Sequence, residues 1–309
     1  MEKNSKIYIA GHSGLLGSAI VRKLTSDGYN NLIVRSHSEL DLTNQAAAAD
    51  FFKSEKPEYV FLAAAKVGGI QANANALADF FYINASIYQN VIHQSYSNSV
   101  RKLIFFGSSC IYPKNCPQPI REEYLLSDYL EKTNEGFSIA KIAGLKMCSF
   151  YRKQYDSDFI SCMFTNLYGP NDNFDLNNSH VLPALLHRFH EAKLKRDKQV
   201  VVWGTGSPLR EFLYIDDAAE SSIFLMKEYS SADHINVGTG EDISIFDLAH
   251  LIKTIVGFEG ELIFDHSKPD GTYRKLLDVS RMTELGWKSK TGLEEGIRMT
   301  YEWYLQNNI

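Results

Sequence analysis

The stretch Lys6 to Gly17, KIYIAGHSGLLG, constrains the fold of this 309-residue chain more than any other. Ile7, Ile9 and Ala10 form a short β run, and Gly11, Gly14 and Gly17 follow at three-residue spacing. Leu15, Leu16, Ala19, Ile20 and Leu24 then recur with a helical period. A strand that passes through a glycine turn into a helix presents free backbone N–H groups and the positive end of the helix dipole. The glycines let a phosphate approach the backbone closely. The same pattern could be an ordinary tight strand-to-helix turn, but its amino-terminal position and flanks favour a dinucleotide held at Gly11, Ser13, Gly14, Leu15 and Gly17.

Further strand and helix patterns alternate after this turn. Strands are expected at residues 31–35 (NLIVR), 59–65 (YVFLAAA), 103–106 (LIFF) and 160–164, with a long helix from Ala76 to Ser97 and another from near Asn134. Repeated strand–helix units imply a doubly wound, right-handed parallel α/β sheet of the Rossmann type, with ligands beyond the carboxyl ends of its strands. Arg35 ends the second strand, where an arginine pairs with the extra phosphate of NADP and an acid would bind the ribose of NAD. NADP(H) is therefore the expected cofactor. Asp41 and Leu42 are read as opening the next helix, with Asp41 capping it or meeting an adenine amine. The small Ala63 and Ala64 would let the cofactor lie across the third strand's end.

From residue 166 the character changes. An Asn- and Asp-rich run, NDNFDLNNSH, ends at His180 and reads as a lid or a surface loop before a helix over 181–193. The loop Gly204–Arg210 delivers Arg210, the residue type suited to bidentate phosphate contact. The expected division is a cofactor domain over 1–165 plus about 212–232, and a smaller mixed α/β substrate domain over about 166–211 and 233–309. A net charge of −5 gives no basic face for nucleic acid or an anionic membrane. No signal-like or membrane-spanning apolar run is found, so a cytoplasmic enzyme is expected. Cys110, Cys116, Cys148 and Cys162 show no metal spacing and read as reduced thiols.

The fourth strand runs into Gly107-Ser108-Ser109-Cys110, and the helix after Asn134 carries Phe137-Ser-Ile-Ala-Lys141, with residues 137 and 141 on one face. A strand-end serine followed by Tyr-x-x-x-Lys resembles the catalytic set of the extended short-chain dehydrogenase/reductases. In that family the tyrosine protonates a carbonyl oxygen while the nicotinamide delivers hydride, and the lysine lowers the tyrosine's pKa and holds the nicotinamide ribose. The resemblance carries roles to Ser108 and Lys141. It carries no proton donor, because position 137 is phenylalanine.

The stretches GSSCIYPK, NEGFSIAKIAG, TNLYGP, NSHVLPALLHRFHEA, VVWG, REF, INVGTG, KPDGT and RKLLDV are similar, in order and spacing, to the GDP-L-fucose synthase family of nucleotide-sugar epimerase/reductases. That resemblance implies a GDP-linked 4-keto-6-deoxy sugar as substrate and Cys110 and His180 as the acid–base pair that inverts C3 and C5. It also implies His180 beside the cofactor, Arg210 on the diphosphate, and Ser109, Asn166, Val181, Leu185, Arg188, Trp203 and Lys268 around the sugar and guanine. A homodimer through residues 76–97 and 134–155 is implied as well. Two positions depart from the pattern: Ser13 replaces a basic residue in the glycine turn, and Phe137 removes the phenol. The chain is then a GDP-fucose-synthase-like enzyme impaired in reduction, natively or by an engineered Tyr-to-Phe change. The alternatives are a reductase or epimerase of a GDP-4-keto-heptose and a pseudo-enzyme that acts by binding.

Overall fold

A computed structural model of the chain describes residues 1–307 apart from Asn177, Asn178 and Pro269. In chain order the first half holds β1 (Ile7–Ala10), α1 (Leu15–Ser26), β2 (Leu32–Ile33), α2 (Gln45–Glu55), β3 (Tyr59–Leu62), α3 (Ile70–Asn75), α4 (Leu77–Ser97), β4 (Lys102–Ser108), α5 (Glu135–Tyr155) and β5 (Asp158–Phe164). The second half holds β6 (Asn166–Tyr168), α6 (Val181–Lys195), β7 (Gln199–Trp203), β8 (Leu209–Arg210), β9 (Phe212–Tyr214), α7 (Ile215–Glu228), β10 (Ile235–Val237), β11 (Ile243–Ser244), α8 (Ile245–Val256), β12 (Glu261–Asp265), β13 (Arg274–Lys275), α9 (Ser280–Glu284) and α10 (Leu293–Asn307).

A six-stranded sheet in the order β10-β5-β4-β3-β1-β2 forms the frame, and every pairing in it is parallel. All four residues of β1 are buried, as a strand covered on both faces requires. One apolar layer joins the sheet to α2, α4 and α5 through Phe52, Tyr88, Val91 and Leu145, and the other joins it to α1 and α7 through Ile20, Leu24, Ala218 and Leu225. Strand order reverses between β1 and β3, which places the ligand crevice beyond their carboxyl ends.

Past residue 232, near the expected boundary, Ile235–Val237 still extends the large sheet alongside β5, with Ile235 opposite Cys162. A third apolar cluster, including Leu182, Phe189, Leu248, Ile252 and Ile297, joins α6, α8 and α10 to the parallel pair β7 and β12. Along β7 burial alternates, with Val200 and Val202 inward and Trp203 outward. The second strand is shorter than NLIVR implies, Leu32–Ile33 alone. The next helix begins at Gln45 with Asn44 as its cap, accepting from Ala47 N, while Asp41 instead accepts from Thr43 N at 2.9 Å. Asn44 stands one residue before the helix and reaches its orphan N–H groups, whereas Asp41 is too far upstream.

Candidate active site

The glycine turn is built by contact. Gly11 has φ of +83°, and a Cβ there would lie 2.6 Å from Ala64 N. A Cβ on Gly17 would lie 2.1 Å from Gly11 O, so α1 packs directly on the turn. Gly14 differs, because its nearest neighbour to a Cβ would be 3.6 Å away. Packing within the protein therefore does not require glycine at 14. Gly14 caps α1 without a side-chain hydrogen bond, and the first turn, Leu15-Leu16-Gly17-Ser18, carries no carboxylate. Free N–H groups, an open dipole end and an exposed Ser13 fit the diphosphate of a dinucleotide. Ala63 and Ala64 stand half-buried across the crevice at the end of β3.

At the adenosine end the fit is tighter than the sequence suggests. Arg35 is half-buried and already pairs with Glu55 of α2, Nη2 to Oε1 at 2.5 Å, and donates to Val34 O at 2.8 Å. A 2′-phosphate would compete with that carboxylate. Leu42 is 7% exposed and belongs to the core, which leaves only its backbone for a ligand. Sequence reasoning missed His12, whose Nδ1 is buried without a hydrogen-bond partner among the described residues.

At the end of β4 the catalytic candidates gather. Ser108 ends the strand, and its Oγ accepts from Cys110 N at 3.4 Å in the single turn Ser109–Ile111. Ser109 is buried by this turn, against the expectation that it meets substrate. Lys141 on α5 is buried, and its Nζ donates to Phe106 O at 2.6 Å. Removal from water holds its amine down at about 7, with Cys162 and Cys110 opposing. The Phe137 ring centroid lies 5.6 Å from that Nζ, and the ring packs edge-on against Phe80. Burial pushes the Cys110 thiol up, but the Lys275 ammonium and side-chain hydrogen bonds from Ser108, Lys275 and Asn134 bring it below its usual value. Lys275 Nζ lies 3.7 Å from Cys110 Sγ. Sequence reasoning named neither Asn134 nor Lys275 as site residues, although Lys275 stands in RKLLDV.

His180 stands at the N-cap of α6, where its side chain makes no capping hydrogen bond, and desolvation by the surrounding protein lowers its pKa. The polar run before it is not a free flap at its start: Asn171 donates to Ser18 Oγ of α1 at 3.2 Å, and Phe174 is buried against Trp303 and Tyr304. Asn177 and Asn178 of that run, and Pro269 of the 268–271 turn, lie outside the described residues. The Asp172 carboxyl is pushed up to about 7 by burial, and its Oδ2 has no hydrogen-bond partner among the described residues.

On the second unit, Trp203 is 52% exposed and has two cations over its ring, Arg188 at 5.4 Å and Lys268 at 5.5 Å. Arg188, Trp203, Leu176, Val201 and His187 line a cleft of about 420 Å³. Val181 opens α6 half-buried, whereas Leu185 is 3% exposed and lies in the core. Asn166 Nδ2 donates to Glu211 O at 2.8 Å, which ties it to the frame. Arg210 donates to Leu209 O at 2.7 Å and lies near enough to Cys110 and Asp270 to feel their charge. The structure thus brings Ser108, Cys110, Phe137, Lys141 and Arg210 into one constellation, and sets Arg188, Trp203 and Lys268 in a second.

A parallel doubly wound sheet with a glycine turn at the start of α1, Ser108 at the end of β4 and Lys141 on α5 defines a dinucleotide-binding class of enzyme fold. Residues 7–238 match the NAD dependent epimerase/dehydratase family, and the chain belongs to it. GDP-L-fucose synthase 1 of Arabidopsis thaliana is 58% identical over 306 residues, covering 99% of this chain and 95% of the plant protein. A GDP-6-OMe-4-keto-L-xylo-heptose reductase from C. jejuni has a superposable structure, with TM-score 0.96 and 46% identity over 100% of this chain and 99% of its own. A GDP-mannoheptose C4 reductase from Campylobacter jejuni, solved with NADP bound, gives TM-score 0.92 and 47% identity over 99% of each chain.

Proposed function

We propose that this protein binds NADP(H) and a GDP-linked 4-keto-6-deoxy sugar, inverts the sugar at C3 and C5 through Cys110 and His180, and is impaired in reducing the C4 ketone. The observation that carries the reading is the contrast within one site. Cys110 sits among cations and hydrogen-bond donors that favour its thiolate, while position 137, facing Lys141, offers an aromatic ring with no O–H.

A C4 ketone acidifies its neighbouring C–H groups. Cys110 removes one proton as base, and the electron pair passes into the ketone as an enolate. The Ser108 hydroxyl donates to the developing oxyanion. His180 returns a proton from the opposite face, and its lowered pKa makes the imidazolium a stronger acid when it is protonated. Arg210 holds the diphosphate, and Arg188, Trp203 and Lys268 hold the base and sugar. The glycine turn, Ala63, Ala64 and Lys141 hold the cofactor, which when bound supplies hydride for C4. Protonation of the resulting alkoxide has no side-chain acid at 137, so that step falls to water.

The C. jejuni neighbours favour a second substrate of the same chemistry, a GDP-4-keto-heptose. A homodimer through α4 and α5 accords with the exposed Tyr82, Ile139, Phe150 and Tyr155 on those helices. The test is to incubate the protein in deuterated buffer with GDP-4-keto-6-deoxy-mannose or the corresponding keto-heptose and read deuterium at C3 and C5. Incorporation that Cys110→Ser abolishes is expected. No incorporation into either sugar, with binding demonstrated, would remove the epimerase reading.

A further inference from the structure

Cys110 lacks the usual means of activating a thiol. It is on no helix of two turns or more, and the short turn that carries it supplies no dipole to speak of. What it has is one cation placed by a separate part of the chain. Lys275 comes from β13, which pairs with β8 so that Lys275 lies opposite Arg210. The backbone on both sides of Lys275 is anchored. Arg274 Nε meets Asp242 Oδ2 at 2.5 Å, Leu276 N donates to Gln118 Oε1 at 3.0 Å, and Leu277 N donates to the wholly buried Glu211 at 2.9 Å. Glu211 also accepts from Thr239 N and Gly240 N, so the segment is clamped to the core of the site.

The ammonium that this frame delivers has one short side-chain contact, 3.7 Å from Cys110 Sγ, and meets no carboxylate among the described residues. A lysine satisfied by an acid would have little field left for a thiol. The remaining polar groups facing Cys110 are the Ser108 hydroxyl from β4, the Asn134 amide from the turn before α5, Lys141 from α5 and Arg210 from β8. Cys116 also lies within reach of the Lys275 charge. Lys141 is committed to Phe106 O and Arg210 to Leu209 O, which leaves Lys275 as the cation bonded to the sulfur.

We propose that Lys275 is a positioning residue that holds Cys110 as a thiolate in the resting protein, so that the sulfur is ready to take a proton from carbon. The inference deepens the epimerase reading and rests on it for its purpose. In the step, the S⁻ lone pair takes the C–H proton and becomes S–H, the C–H pair becomes the enolate π bond, and Lys275 keeps all its protons. The ammonium lowers the proton affinity of the sulfur without itself reacting.

The test is alkylation of the unliganded protein by iodoacetamide across pH, with each cysteine followed by peptide mass spectrometry. Cys110 should react with a midpoint below the ordinary thiol value of about 8.5. Lys275→Met should raise that midpoint by about one pH unit and slow reaction near neutrality about tenfold, while Lys275→Arg keeps most of the effect. Buried Cys148 and Cys162 report folding: a structural defect would expose them and release Cys110 to the ordinary thiol midpoint together, so a raised Cys110 midpoint supports the proposal only while both stay unreactive. An unshifted midpoint in Lys275→Met overturns the proposal. So does a midpoint at or above about 8.5 in the unsubstituted protein, which needs no variant to fold. Deuterium exchange into the keto sugar is scored separately. A shifted midpoint without exchange upholds the Lys275–Cys110 assignment and removes the epimerase reading, and exchange with no midpoint shift does the reverse.

Discussion

Replacing Phe137 by tyrosine adds one oxygen at the place where the site lacks an acid. Phe137 is half-buried on α5, its ring edge-on to Phe80 with centroids 6.5 Å apart, and Lys141 Nζ lies 5.6 Å from the ring centroid. The helix, the aromatic seat and the cation are therefore already in place. An adjacent ammonium favours phenolate over phenol, which brings the acid closer to the pH at which it must work. A well-placed general acid contributes roughly 10²–10⁴-fold, or about 2.7–5.4 kcal/mol of barrier. NADPH oxidation by Phe137→Tyr with a GDP-4-keto sugar, followed by loss of absorbance, should rise by about two orders of magnitude or more with little change in sugar affinity. A tyrosine form that folds and binds both ligands yet stays inert, or a phenylalanine form that already turns over at an ordinary enzyme rate, would rule out a missing acid at 137.

The glycine turn gives a paired prediction. Gly17→Ala, whose Cβ would meet Gly11 O at 2.1 Å, should destabilise by roughly 1–3 kcal/mol in thermal unfolding. Gly14→Ala, with 3.6 Å of room, should leave stability within about 0.5 kcal/mol yet weaken NADPH about tenfold or more in calorimetry. Glu55→Gln frees Arg35 from its carboxylate and should tighten NADPH relative to NADH, an effect absent when Arg35 is also replaced. Burial holds the Lys141 amine at about 7 against an ordinary value of about 10.4, so between these the unfolded chain binds a proton that the folded one does not, and stability rises with pH across that window. Lys141→Met should therefore be more stable than the parent by a few kcal/mol near pH 6, with most of the gain gone near about pH 9.5, as read by urea unfolding.

Local patterns made the fold legible. Buried strands, glycine spacing and helical periodicity each reflect nearest-neighbour chemistry, and the order of strands and helices follows from them. Where the reading slipped, tertiary contact decided. Ile235–Val237 joins the large sheet because its pairing partner, β5, lies some seventy positions earlier in sequence, and periodicity carries no trace of that. Asn44 displaced Asp41 as a cap because the true start of α2 is set by how the helix packs. In the site, Ser108, Cys110 and Lys141 were legible because they fall in short motifs. The fate of Arg35 depended on Glu55, and the environment of Cys110 depended on Lys275, each a pairing between distant segments. Leu185 and Ser109 are expected around the sugar because they share short motifs with the other candidates, and packing buries both side chains.

Epimerisation without reduction can be read in a single incubation. The protein is incubated in deuterated buffer with GDP-4-keto-6-deoxy-mannose and NADPH, and deuterium entering C3 and C5 is counted against NADPH oxidised in the same tube. Roughly a hundred or more exchange events are expected for each NADPH consumed, as the loss of a general acid for reduction alone implies. A ratio near one, with both processes at an ordinary enzyme rate, would contradict that expectation.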